Sequence, residues 1–430
     1  MKCSWILLSL LLIALPVLAE VYPVDRVGNL HVYGSAADAS SVVVLISGSN
    51  GWNEQMEKIA ISLASRNALV GGLDLNEYLS QVRKKKLCPP YDLDQFGKIL
   101  EKRAGMKQFL HTTLVGYREG GGLALLAHAE ATGIFSGALS IGFCPKFPIP
   151  PENTCGGEKI FSGQDAIRLT RPWFLLEGVG EDCSLEESTN FQKRVENSSV
   201  VNANQDWFDQ LNSEVEKLKP ADPKSRLTDL PLIEYEGEQN NPTLVFFYSG
   251  DGGWGELEDE LSRYYQKKGI ASIGFDSLRY FWNAPDPSQA GKDLGRAILE
   301  YSSAWKRSNI ILVGYSYGAD VLPYIVNRLP QEALAKVKGV ALIGPSLTID
   351  FDISPALQPR DPELPLMPEI KRIPQTQLLC IGGLSENESL CRRLHRKMIV
   401  SDDDVEILKG GHAFGSAHMR IADMILQKFL

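Results

Sequence analysis

The stretch "ILVGYSYGADVLPYIV", residues 311–326, runs from a continuous apolar segment through Gly314, Ser316 and Gly318 into a segment with helical periodicity. An apolar run that ends at glycine reads as a buried strand, and the pattern beyond it reads as a helix. A serine at such a junction takes a strained turn at positive φ. The residues two before and two after it must then be small, or their side chains collide with neighbouring backbone. Gly314 and Gly318 meet that condition. The first N–H groups of the helix point at whatever approaches the hydroxyl, with the N–H of Tyr317 available to an oxyanion.

A strand, Gly-x-Ser-x-Gly and a helix together make the nucleophile elbow of α/β-hydrolases, in which a carboxylate and then a histidine follow the serine along the chain. Three histidines follow Ser316, namely His395, His412 and His418. His412, in "EILKGGHAFG", comes directly after a short strand pattern and two glycines, where a loop can carry an imidazole over the elbow. His395 sits in the basic helical stretch "CRRLHRKM" and His418 at the start of the last helix, and both read as surface residues. For the acid, the strand "QLLCIGG" leads into "LSENES", which puts Glu386 at the usual position after the penultimate strand, with Glu388 close behind. Asp350 and Asp352, after "VALIGPSLT", are a third possibility. A carboxylate at any of these places holds the imidazole tautomer and stabilises the imidazolium. The glycine-rich "YSGDGGW", residues 248–254, suits the second oxyanion donor, the N–H of Asp251, while Trp254 reads as packing.

The chain also echoes itself. "VVVLISGSNGW" (42–52) resembles "LVFFYSGDGGW" (244–254), and Trp52 and Trp254 stand 202 positions apart. "VGGLDLNEYL" (70–79) resembles "SIGFDSLRYF" (272–281), with Asp74 and Asp276 again 202 apart. "LVGYREGGGLALL" (114–126) resembles "LVGYSYGADVLPY" (312–324), at an offset of 198. Apolar runs such as "SVVVLISG", "NIILVGYS" and "TQLLCIGG" alternate with helical segments, the pattern of buried parallel strands in βαβ units. The fold class expected is therefore α/β: two tandem α/β-hydrolase-like doubly wound domains. Prolines and charges in "LKPADPKSRLTDLPL" (218–232) mark the join, giving domains at 20–222 and 223–430. Where the second domain has Ser316 the first has Arg118, and no histidine lies between His128 and the second domain. Arginine is not an acyl-accepting nucleophile, so the first domain is expected to be degenerate and non-catalytic.

The first residues, "MKCSWILLSLLLIALPVLAE", have the layout of a secretory signal cut after Ala19, which predicts an exported, periplasmic protein. Past the signal remain Cys88, Cys144, Cys155, Cys183, Cys380 and Cys391, an even set that favours disulfides in an oxidising compartment. Cys380 with Cys391 and Cys144 with Cys155 each flank a loop, leaving Cys88 with Cys183 by elimination. The formal net charge of −9 argues against nucleic acid as a partner and leaves a cationic or zwitterionic substrate open. No ligand cluster with zinc spacing occurs, and the chemistry needs neither metal nor cofactor.

Together "FFYSGDGGW", "GFDSLRYFW", "GYSYGAD" and the Cys380-bounded acidic loop resemble the AcvB/VirJ family of bacterial virulence proteins. The resemblance implies a periplasmic serine hydrolase that cleaves the aminoacyl ester of lysyl-phosphatidylglycerol, with Ser316 as nucleophile and His412 as its base. "IGGLSENES" is less acidic than the family loop, so the acid stays open. The expected partner is an aminoacylated phospholipid at the membrane surface. Asp320, Asp251 and Asp276, at or just after predicted strand ends, are candidates for holding the ammonium groups of a lysyl chain. The positive run in "QVRKKKLCPPY" (81–91) is a candidate contact with anionic headgroups. Two alternatives remain: a serine esterase of other specificity, and an exported adaptor supporting virulence or macromolecular transfer.

Overall fold

The computed structural model describes residues 20–24, 27–81, 88–130, 134–145, 160–161, 163, 165–179, 185–219, 225–353, 363–374, 377–386, 389–396 and 404–430. Two sheets organise them. The first contains β1 (Glu20–Val24), β2 (Gly28–Tyr33), β3 (Ser41–Ile46), β4 (Ala68–Leu73), β5 (Thr112–Tyr117), β6 (Gly137–Ile141), β7 (Ile167–Glu177) and β8 (Val195–Asn202). Its order is β1-β2-β4-β3-β5-β6-β7-β8, with β1 and β2 antiparallel and the rest parallel.

The second sheet uses β9 (Leu232–Tyr235), β10 (Thr243–Tyr248), β11 (Ala271–Phe275), β12 (Asn309–Tyr315) and β13 (Val337–Ile343). A two-stranded ribbon of β14 (Thr348–Ile349) and β15 (Leu364–Pro365) follows, and β16 (Leu378–Gly383) and β17 (Val405–Leu408) complete the sheet. Its order, β17-β16-β13-β12-β10-β11-β9, is that of the first sheet without the first strand, with β9 antiparallel as β2 is. Both halves therefore have the α/β-hydrolase fold, and the echo in the sequence is an echo of topology. Every residue of β3 and of β10 is buried, which is why both strands read as unbroken apolar runs: helices cover the two faces of a parallel sheet.

The duplicated tryptophans explain one repeated detail. A Cβ on Gly274 of β11 would lie 2.2 Å from the Trp254 ring, and one on Gly72 of β4 would lie 2.0 Å from the Trp52 ring. Each indole lies flat on a bare strand position and donates to a tyrosine hydroxyl, Trp254 to Tyr235 at 3.1 Å and Trp52 to Tyr33 at 3.3 Å. Trp254 is packing.

The halves share an interface built largely by the helix Pro89–Ala104 and the residues after it. Phe109 belongs to the apolar core of the second half, 5.2 Å from the Trp282 ring, and the Trp282 indole donates to the Met106 carbonyl at 3.1 Å. Cys380 and Cys391 form a disulfide, and Cys88 and Cys144 are each disulfide-bonded, while Cys155 and Cys183 lie outside the described residues. Among the described residues no helix is long and apolar enough to cross a membrane. Residues 1–19 and the positive run 82–87 lie outside them.

Candidate active site

β12 ends at Tyr315 and the helix Tyr317–Val326 starts two residues later, so Ser316 makes the whole turn, at φ 53° and ψ −121°. That is left-handed backbone that a β-carbon disfavours. It is held by the Ser316 N–H, which donates to Ile343 O at 2.8 Å, and by close packing that only glycine permits. A Cβ at Gly314 would lie 2.4 Å from Gly318 O, and one at Gly318 would lie 2.2 Å from Tyr248 O. The strain holds the hydroxyl out of the sheet.

His412 arrives on the loop after β17. Its Nε2 lies 2.8 Å from Ser316 Oγ and its Nδ1 lies 2.5 Å from Glu386 Oε1. Glu386 is anchored in turn, its Oε2 accepting from the Gly383 N–H at 2.6 Å. Gly344 leaves room for the ring, since a Cβ there would lie 3.0 Å from His412 Cε1. The Tyr315 ring stacks on His412 at 5.4 Å and its hydroxyl donates to the His412 carbonyl at 3.3 Å. The hydrogen bond that His412 donates to Glu386 holds its pKa above the usual histidine value, against the opposing effect of burial. Burial pushes Glu386 up, but the bonds from His412 and the Gly383 N–H outweigh it and leave its pKa lowered. The carboxylate stays ionised and fixes the imidazole with its lone pair towards Ser316.

The loop after β10 faces this triad. A Cβ on Gly250 would lie 3.6 Å from Ser316 Cβ. The Gly250 carbonyl accepts from the Gly253 N–H at 3.1 Å and from Ser249 Oγ at 3.3 Å. A trans peptide sets its N–H opposite its carbonyl, so these bonds turn the Asp251 N–H the other way. Among the described residues neither that N–H nor the Tyr317 N–H donates to a protein acceptor. Two free amides, one on the elbow helix and one on the loop facing it, are the donors that an oxyanion hole requires.

A cleft of about 460 Å³ opens at Ser316 and Tyr317, and Asp251, Asp320, Asp350, Asp352 and Glu363 all line it. Asp320, buried on the elbow helix, accepts from the Ser346 N–H at 2.6 Å. Burial pushes its pKa up to about 8, against the bonds from Ser346.

The structure brings Ser316, His412, Glu386, Tyr317, Asp251 and Asp320 together. It corrects two other readings. Asp350 and Asp352 do not reach the imidazole; they stand in the cleft wall, because the chain turns into the β14–β15 ribbon after β13. Asp276 is not a cleft residue. It caps the short helix Ser277–Tyr280, accepting from the Arg279 N–H, and lies 4.0 Å from His111 Nε2 of the first half. Glu388 lies outside the described residues, and His395 falls on the helix Leu390–Arg396. His418 pairs with Glu260 at 2.8 Å, away from the elbow.

Three contributors were missed from sequence: Tyr315, Glu363 and Glu258. Glu258 is buried beneath the oxyanion loop, accepting from the Gly250 and Gly255 N–H groups, and burial pushes its pKa up to about 7. The signal was present: Glu258 falls in helical phase with the buried Leu261, Ser262 and Tyr265, and a carboxylate on a buried stripe needs a partner.

Residues 242–430 match the family model of VirJ, described as a bacterial virulence protein. The match is confined to the carboxy-terminal half. Solved structures similar to the chain include Est1E from Butyrivibrio proteoclasticus, at 14% identity and TM-score 0.33 over 46% of this chain and 96% of that one. The thioesterase domain from the curacin biosynthetic pathway is similar at 14% identity and TM-score 0.32, over 46% and 98%. A cold-adapted esterase from an Arctic intertidal metagenomic library is similar at 15% identity and TM-score 0.33, over 47% and 93%. No curated protein matches the chain in sequence. The carboxy-terminal half holds the parts that acyl transfer from an ester requires: a serine on a strained elbow, an imidazole in hydrogen-bond reach, a carboxylate behind it and two free amides, on the elbow helix and on the loop facing it.

Proposed function

We propose that the protein removes the lysyl group from lysyl-phosphatidylglycerol, releasing lysine and phosphatidylglycerol on the exported side of a bacterial membrane. The observation that carries this reading is the cleft: five carboxylates line a space that begins at the nucleophile. A lysyl ester presents two ammonium groups on its acyl side, one close to the carbonyl and one at the end of the chain. Asp320, closest to the elbow in sequence, suits the first, and Asp350 and Glu363 suit the second. A cation beside Asp320 favours its ionised form, so substrate offsets the burial that keeps this carboxyl protonated. The disulfide Cys380–Cys391 and the signal-like amino terminus support an oxidising, exported setting.

In the reaction Ser316 Oγ attacks the lysyl carbonyl while His412 Nε2 takes its proton, and the Tyr317 and Asp251 N–H groups stabilise the tetrahedral oxyanion. Collapse breaks the ester bond, and the imidazolium gives its proton to the leaving glycerol oxygen of phosphatidylglycerol. Water, deprotonated by His412, then attacks the lysyl-enzyme and frees lysine and Ser316. Incubation of the wild-type protein and Ser316→Ala with lysyl-phosphatidylglycerol vesicles, with free lysine measured, tests the proposal. Lysine released by the wild type alone supports it; no release by the wild type, or equal release by both, overturns it.

A further inference from the structure

The degenerate half reaches into the catalytic loop of the other half. The helix Pro89–Ala104 carries Lys98, whose ammonium is buried and paired with Asp94 at 3.0 Å. The same ammonium donates across the domain boundary to the main-chain carbonyl of Asp251 at 3.4 Å. One turn on, Lys102 donates to the Trp282 carbonyl at 2.7 Å, pairs with Asp352 of the cleft wall at 2.9 Å and lies 4.4 Å over the Trp282 ring.

Asp251 is the residue whose N–H completes the oxyanion hole. Its preceding peptide is fixed from within the carboxy-terminal half, through the bonds to the Gly250 carbonyl. Its following peptide, which carries the Asp251 carbonyl, is fixed by Lys98. Two flanking peptide planes leave a residue almost no freedom, because φ and ψ are its only soft torsions. Burial disfavours the Lys98 charge, but the carboxylates of Asp94 and Asp251 outweigh it and the amine keeps its proton. A charged donor on a carbonyl makes a stronger bond than a neutral one.

We propose that Lys98 of the amino-terminal half is a positioning residue for hydrolysis, aiming the Asp251 amide at the oxyanion, and that Lys102 keeps the helix carrying it seated on the cleft wall. The degenerate copy is on this account a part of the catalytic apparatus. The proposal rests on the serine-hydrolase reading of Ser316.

The test uses the full-length protein and the rate at which a fluorophosphonate modifies Ser316, a reaction that needs the triad and the oxyanion hole but no cationic substrate. Lys98→Met is expected to slow phosphonylation about tenfold, a fraction of the loss that follows removal of a whole oxyanion donor. In ester turnover its loss falls on kcat with KM little changed. Lys98→Arg, which keeps a charged donor, restores most of the rate, and Lys102→Met gives a smaller loss of the same kind. A Lys98→Met protein with the wild-type melting temperature and the wild-type phosphonylation rate overturns the proposal while leaving Ser316 as nucleophile. Loss in Lys98→Met that Lys98→Arg does not restore also overturns it, and so does a wild-type protein that the reagent leaves unmodified, an outcome that removes the serine-hydrolase reading with it. If Lys98→Met does not fold, Lys102→Met and Lys98→Arg decide between the same outcomes.

Discussion

The two elbows of the molecule have the same backbone and opposite chemistry. Ser316 and Arg118 both stand at φ 53°, and both N–H groups donate at 2.8 Å to the last residue of the neighbouring strand, Ile343 and Ile141. The flanking glycines are equally confined: a Cβ at Gly120 would lie 2.4 Å from Ser47 O. Ser249 and Ser47 each accept the N–H two residues beyond the end of the next strand, at 2.9 Å in both cases. What differs is what fills the site. Glu119 stands where Tyr317 does, and its carboxylate accepts the Ser49 N–H at 2.9 Å and the Ser49 hydroxyl at 3.1 Å. Ser49 is the counterpart of Asp251, so the amide that would meet an oxyanion is already occupied. Met56 stands in place of Glu258, and after His128 no histidine follows in the first half. A strained turn thus survives without catalysis because the sheet and its glycines impose it, whereas activity needs a nucleophile, a base and an empty pair of donors at once.

Breaking the active copy gives the largest effects. Ser316→Ala should lower ester turnover by about 10⁴-fold or more, and His412→Ala by a similar factor, with the double variant no worse because the two act as one unit; steady-state kinetics on purified protein checks both. Glu386→Gln should cost roughly 10²- to 10⁴-fold, since it permits the wrong imidazole tautomer, while the circular dichroism melt stays close to that of the wild type.

A pH profile sharpens the comparison further. His412 must be neutral to accept a proton, so kcat/KM for a neutral ester should rise with pH through a single ionisation above the usual histidine value. Asp320 must be charged to hold an ammonium, so a cationic aminoacyl ester should show a second rise near pH 8. Asp320→Asn should remove that second rise and lower kcat/KM for the cationic ester by about tenfold, the scale of one lost charge-assisted contact. The smallest effect belongs to the silent copy: Arg118→Ser, alone or with Glu119→Ala, should confer no measurable hydrolysis in a Ser316→Ala background.

Much of this was legible in the sequence because the fold imposes short-range rules. Gly314, Gly318, Gly116 and Gly120 are forced by backbone contact, and they announce an elbow in each half. The parallel sheets read as apolar runs because both faces are covered. Ser316, His412 and Glu386 follow a chain order that this topology requires. The cleft was less legible. Asp276 and Asp320 both stand just past strand ends, and nothing local shows that Asp276 turns back to cap a helix while Asp320 faces the cleft. Asp350 and Asp352 depend on the course of the β14–β15 ribbon. Lys98 was out of reach, because its partner Asp251 lies in another domain and is engaged through its backbone, which carries no mark in the sequence.

The most direct test of the central claim is to treat the full-length protein with a fluorophosphonate and map the modified residue by peptide mass spectrometry. The account predicts one phosphonyl group per chain, on Ser316, and none in Ser316→Ala; a label elsewhere that persists in Ser316→Ala, or an unlabelled wild-type protein, would contradict it.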